Sequence, residues 1–289
     1  MTNRASIIII CLTMLLGSRM HAQQQDWRAV EAVFDRQGIH QGDMLKMTFP
    51  RTELKVVVGD VTISPDLALT SWAAFKPMAG GAMMMGDLTL LESEVPAVMR
   101  ALASQGIEIT ALHNHLLNER PTVMYMHFRC LGAAAKLAAA LKAALSETST
   151  PLAAAPPSAP KLDWSRVESI LGYTGSHKGS VLQMGIPRRS ATVENGMEIP
   201  PFMGMANAIN FQTVGSKAAI TGDFILVAAE VNPVLRVLTT HGIAVTALHS
   251  HMLEESPRLF FMHFWAVGDP AVLAQALHEA LEDIDLKKP

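Results

Sequence analysis

Cysteine is almost missing from this chain. It has two, Cys11 and Cys130, which excludes a disulfide scaffold and a thiolate metal site, since both need cysteines in sets. An excess of positive charge is missing as well. The 23 Lys and Arg residues stand against 26 Asp and Glu, for a formal net charge of −3. The basic residues are scattered, whereas a nucleic-acid binder presents a basic face, so that partner class is set aside. Neither a Gly-x-Ser-x-Gly elbow nor a His-Glu-x-x-His helix occurs, which removes the commonest serine-hydrolase and metalloprotease signatures. The apolar run from Ile7 to Leu16 is ten residues long, too short to span a bilayer.

That run follows Arg4 and precedes Ala22 and the polar Gln23-Gln24-Gln25. The pattern reads as a secretory signal peptide over residues 1–22. Cys11 lacks the small residues of a lipoprotein cleavage box before it, so the expected mature chain is a periplasmic or secreted protein without a lipid anchor or membrane span. Loss of Arg4 and Arg19 would take the net charge from −3 to −5, and Cys130 would remain alone. Such a protein holds itself together by packing. The hydrophobic content of 49% suffices for a core in each half.

The chain is rich in internal repetition. Residues 113–127 read HNHLLNERPTVMYMH and residues 249–263 read HSHMLEESPRLFFMH. Six of the 11 histidines lie in these windows. The likeness extends outward. Asp26-Trp27 matches Asp163-Trp164, Pro50-Arg51 matches Pro187-Arg188, Gly86-Asp87 matches Gly222-Asp223, and Glu94-Val95 matches Glu230-Val231. This is a duplication. The expected domains are a first repeat at 26–146, a linker at 147–161 rich in Pro and Ala, and a second repeat at 162–289.

Each repeat reads as α+β: an antiparallel sheet with helices on one face, a ferredoxin-like β-α-β-β-α core behind an N-terminal helix and strands. In the second repeat the spacing predicts helices over 164–171, 232–240 and 271–284, with Asp163 and Asp269 as caps. It predicts strands over 181–186, 191–199, 223–228, 243–252 and 259–267, and an irregular segment over 200–217. The two repeats are expected to pack on each other as a pseudo-dimer.

Alternate strand residues share a face, so His249 and His251 point the same way, as do Phe261, His263 and Trp265. A hairpin centred on Pro257 sets His251 opposite His263 and His249 opposite Trp265. Three imidazoles and Glu255 from the turn then suit a divalent transition metal, zinc first, with Mn²⁺, Fe²⁺ or Cu²⁺ as alternatives. The 18 methionines give copper its place on that list. Glu255 is either a fourth ligand or the catalytic base of a metal-bound water. Arg188, Arg258 and Trp265 are candidates for ligand binding. The first repeat offers His113, His115, Glu119 and His127, but Arg129 stands where the second has Trp265. A guanidinium there would repel a cation, so the first set is expected to be a degenerate site.

The run VTALHSHMLEESPRLFFMHFWAVGD, with Gly222-Asp223-Phe224 and Glu230-Val231-Asn232-Pro233 ahead of it, resembles the LppY/LpqO family. That is an exported bacterial domain of unknown function. The resemblance covers both halves and is closest from Gly222 to Asp269. It implies compartment and domain type and no particular activity. Two functions stay open: a metal-dependent hydrolase, and a non-catalytic envelope module binding a small molecule or partner.

Overall fold

The computed structural model describes residues 26–153 and 163–288. The expected signal peptide and the Pro-rich centre of the linker lie outside them. The first repeat runs α1 (Arg28–Phe34), β1 (Ile39–Gln41), β2 (Met44–Pro50), β3 (Val57–Val58), β4 (Val61–Thr62), α2 (Pro65–Ala68), β5 (Thr70–Met78), β6 (Gly81–Leu91), α3 (Val95–Ser104), β7 (Glu108–His113), β8 (Val123–Gly132) and α4 (Ala134–Leu145). The second runs α5 (Ser165–Leu171), β9 (Ser176–Lys178), β10 (Val181–Pro187), β11 (Thr192–Glu194), β12 (Met197–Ile199), a 3-10 turn at Pro201–Met203, β13 (Ala206–Val214), β14 (Lys217–Leu226), α6 (Ala228–Thr240), β15 (Ala244–His249), β16 (Glu255–Ser256), β17 (Phe260–Gly268) and α7 (Pro270–Glu282).

Each repeat is an antiparallel six-stranded sheet with helices. The orders are β1-β2-β5-β6-β8-β7 and β15-β17-β14-β13-β10-β9. In the second, β14 and β15 both flank β17, with α6 crossing between them, which is the expected split β-α-β core. Burial alternates along β2, with Leu45, Met47 and Phe49 turned to the core. The longer helices cover that face: Leu45, Met47 and Phe49 share a buried cluster with Val98, Leu102 and Leu141, and in the second repeat Trp164, Val167, Phe211, Phe224, Phe264 and Leu277 do the same. The opposite faces of the two sheets meet each other. One cluster joins Val56, Ile63, Leu67 and Tyr125 of the first repeat to Val181 and Ala219 of the second. Its counterpart joins Ala74, Met83 and Met85 to Met203, Met205 and Phe261. The order of layers is therefore helices, sheet, sheet, helices.

Several local expectations change. The strand over 191–199 is a hairpin, β11 and β12, because Asn195 and Gly196 take φ values of 51° and 76°, as a tight two-residue turn requires. The segment over 200–217 is mostly β13. Its alternation is disguised by Asn210 and Gln212, which face the other repeat and donate to the Leu67 and Thr62 carbonyls at 2.9 and 2.8 Å. Residues that read as loop polarity are partners for the neighbour's backbone. Helix α6 starts at Ala228, a turn earlier than expected, because Glu230 accepts the Val227 N–H at 2.9 Å and so fixes the first turn.

The duplicated glycines sit in the central strands. A Cβ at Gly86 would strike the Trp72 carbonyl and the Phe128 ring, and one at Gly222 would strike the Ala208 carbonyl and the Phe264 ring. The following residues, Asp87 and Asp223, are thereby fixed on the inter-repeat face.

Candidate metal centre

The second-repeat register differs from the expected hairpin. His249 lies opposite Phe261, and Ala247 opposite His263. The connection is no tight turn, since Glu255–Ser256 forms β16 and pairs with β11. The displacement of His249's partner from Trp265 to Phe261 is an even number of residues, so His249 keeps its face. Val245 does not share it. The register breaks between Val245 and Ala247, which turns Val245 toward the helices. The same break occurs between Ile109 and Ala111. The skipped residue Thr246 reaches across the interface. Its hydroxyl donates to the His115 carbonyl at 2.6 Å, and its own carbonyl accepts from the Asn114 amide at 3.1 Å.

Because the histidine faces of both sheets point at this interface, all six histidines meet. The rings of His113 and His249, equivalent positions of the two repeats, stack at 3.7 Å. His115 stacks on His263 at 4.0 Å, and His127 on His251 at 3.7 Å. Each pair takes one ring from each repeat. Tyr125 backs His115 and Phe261 backs His251, at 3.3 and 3.5 Å. His113, His249, His251 and His263 each offer one nitrogen, all within 4.8 Å of one another. The candidate centre thus draws on both repeats, with His113 of the first joining three histidines of the second.

The reason for discarding the first repeat fails in the structure. Arg129 is held by Glu108 at 2.7 Å and by Glu194 of the second repeat at 3.1 Å, so its charge is neutralised at the interface. Trp265 packs against the apolar cluster that joins the two repeats. Glu255 is occupied. One of its oxygens accepts the Leu259 N–H at 3.0 Å and the other accepts from Arg258 at 3.2 Å. Glu119 likewise accepts the Val123 N–H at 3.4 Å. Both glutamates close their loops. Arg258 also donates to the Leu253 carbonyl at 3.2 Å. Arg188 is buried in a two-pronged pair with Glu230, at 2.6 and 3.0 Å, and donates to the Ile225 carbonyl. Arg51 and Glu94 repeat that arrangement. These side chains serve the fold.

The carboxylates that do face the histidines are Asp87 and Asp223. Asp223 lies 3.5 Å from His251 Nε2 and 4.0 Å from His263 Nε2; Asp87 lies 3.8 Å from His115 and 3.9 Å from His127. In sequence, Asp223 after Gly222 reads as a turn residue. The missed signal is an acid in mid-strand within an apolar run, MMMGDLTLL and AAITGDFIL, repeated in both copies. Burial sets the protonation of the whole group. It holds every imidazole well below the usual histidine range, with His249 at about 4 and His263 at about 3. It lifts Asp87 to about 7 and, with Asp87's charge nearby, Asp223 well above the ordinary carboxylate value. The imidazoles are neutral, the state that ligates a metal.

Residues 28–147 and 165–283 each match the family described as Domain of Unknown Function (DUF1259). The chain belongs to the DUF1259 family. No curated protein matches it. Solved structures similar to this DUF1259 chain include the trimeric bacterial microcompartment shell protein PduB, at 12% identity over 86% of this chain and 93% of that one, with a TM-score of 0.21. Another is EtuB from Clostridium kluyveri, at 10% identity over 85% and 90%, with a TM-score of 0.20. TM-scores this low do not establish a shared fold. Among the described residues, no helix of the DUF1259 repeats is long and apolar enough to cross a membrane.

Proposed function

We propose that this chain is an exported protein of the LppY/LpqO type that holds a divalent transition-metal ion at a centre shared by its repeats. Zinc is the first candidate, ahead of Mn²⁺, Fe²⁺ and Cu²⁺. The observation that carries this reading is a set of orphaned atoms. The Nε2 atoms of His113, His127, His249, His251 and His263, and one oxygen each of Asp87 and Asp223, are buried with no hydrogen-bond partner. One unmatched buried group costs about 1–3 kcal/mol, and a cluster of them, four offering nitrogens within 4.8 Å of one another, calls for a ligand that accepts lone pairs. His113, His249, His251 and His263 would hold the ion.

With three of these histidines as ligands the ion would keep a position for an acidified water, and the reading extends to metal-assisted hydrolysis. In this chain the base is Asp223 or Asp87, since Glu255 is engaged elsewhere. A second reading is favoured by the donor set itself. Four imidazoles complete a tetrahedral shell, as structural sites do, which suits a non-catalytic envelope module. Zinc-loaded protein should be screened against carboxylic and phosphoric esters beside Asp223→Asn. Turnover that disappears in Asp223→Asn while zinc is retained supports the hydrolase. Zinc uptake without turnover supports the binding module. No uptake of zinc, manganese or copper removes the metal reading altogether.

A further inference from the structure

A cavity of about 420 Å³ opens beside the histidines, between the two sheets. His115, His127, His251, His263, Asp87 and Asp223 line one part of it, and Lys46, Trp72, Lys178 and Gln183 line another. Lys46 stands on β2 with its neighbours Leu45 and Met47 turned to the helices, so its own side chain enters the cavity. Its ammonium lies 4.6 Å from the Trp72 ring centre and 4.8 Å from Phe202. Among the described residues it makes no ion pair, unlike Arg51, Arg129 and Arg188.

The position matching Lys46 is Gln183, whose amide donates to the Asp66 carbonyl oxygen. One copy spends this position on tying the repeats together. The other keeps a cation free in the cavity. The position matching Trp72 is Ala208, so the aromatic wall also exists on one side only. Trp72 itself is seated against Gly204, where a Cβ would meet its ring at 2.8 Å. A cation held between two rings and screened from water keeps a strong attraction for an anion.

We propose that this cavity binds a small organic oxyanion, a carboxylate or a phosphate ester, with its charged head on Lys46 and its apolar part along Trp72, the other end directed to the histidine centre. The inference rests on the metal reading for that last direction and not for the contact with Lys46. The cavity wall also carries Asp66 and a second cation, Lys178, whose charge acts on both Asp66 and Lys46; among the described residues neither Asp66 nor any other acid makes an ion pair with Lys46.

The test is calorimetric titration of the mature full-length protein, zinc-loaded and metal-free, with benzoate, phenyl phosphate and the neutral benzamide. Benzoate or phenyl phosphate should bind at least about tenfold more tightly than benzamide, and Lys46→Gln should weaken that binding by roughly tenfold or more, the scale of a lost charged hydrogen bond. The two probes decide between a carboxylate and a phosphate head. Lys46→Gln introduces the residue of the other repeat, and Lys46→Met keeps the aliphatic stem. Unchanged melting of either variant separates lost binding from lost fold. Equal binding of benzamide, no binding of either oxyanion, or full binding by both variants overturns the proposal. Zinc content measured on the same samples reports on the metal reading independently.

Discussion

At the residue scale, burial acts on two kinds of acid with opposite sign. An unfolded histidine takes up a proton as pH falls through about 6.5, while the six buried ones resist it. The stability tied to each histidine is present above that pH and lost as pH falls toward the folded value. Asp87 and Asp223 are raised, so their contribution is present below about 4 and lost as pH rises; for Asp87 the loss is complete above about 7. Six groups outweigh two. The denaturant midpoint of the metal-free protein should therefore fall between about pH 7 and about pH 5, and a midpoint that holds or rises on acidification contradicts the buried neutral cluster. The histidines were legible in the sequence because three of them recur at fixed spacing in each copy. Asp87 and Asp223 were not, since an acid after glycine is the commonest sign of a turn, and only the sheet shows that this glycine is there for close approach. The partners of Glu255, the Leu259 N–H and Arg258, were hidden for a related reason. Spacing gives proximity along the chain but not which backbone N–H a carboxylate will accept.

At the element scale, the repeated Arg-Glu pairs fasten the end of a strand to the start of a helix. Arg188 follows β10, Glu230 lies in the first turn of α6, and the guanidinium also holds the Ile225 carbonyl at the end of β14. Both side chains are largely buried, with 5% and 12% of their surface exposed. Removal of one partner leaves a charge in the interior, which typically costs about 3–5 kcal/mol. Glu230→Ala should lower stability by that amount in denaturant unfolding, with Glu230→Gln milder; a loss below about 1 kcal/mol would show that the pair is solvated. Much of the element order was legible from periodicity and caps. Asp269 accepts the Ala271 and Val272 N–H groups at 2.9 and 3.1 Å, as its place before the amphipathic run suggests. What escaped was β13, because two of its polar side chains, Asn210 and Gln212, satisfy carbonyls of the other repeat, and such long-range partners leave no local trace.

At the scale of the whole molecule, the repeats make one functional unit. Neither repeat presents all four nitrogens of the candidate shell, since His113 comes from one and His249, His251 and His263 from the other. The apolar faces around them are likewise completed across the interface. The sequence indicated duplication and packing, but it assigned the centre to one repeat, because reading each motif alone hides what a twofold arrangement brings together. The measurement that tests the shared centre most directly is zinc stoichiometry by mass spectrometry on residues 23–289, beside His113→Ala and His251→Ala, with circular dichroism to verify folding. The account predicts about one equivalent in the parent and a loss of most of it in both variants. Full retention of zinc in folded His113→Ala would place the site within the second repeat alone and contradict the account.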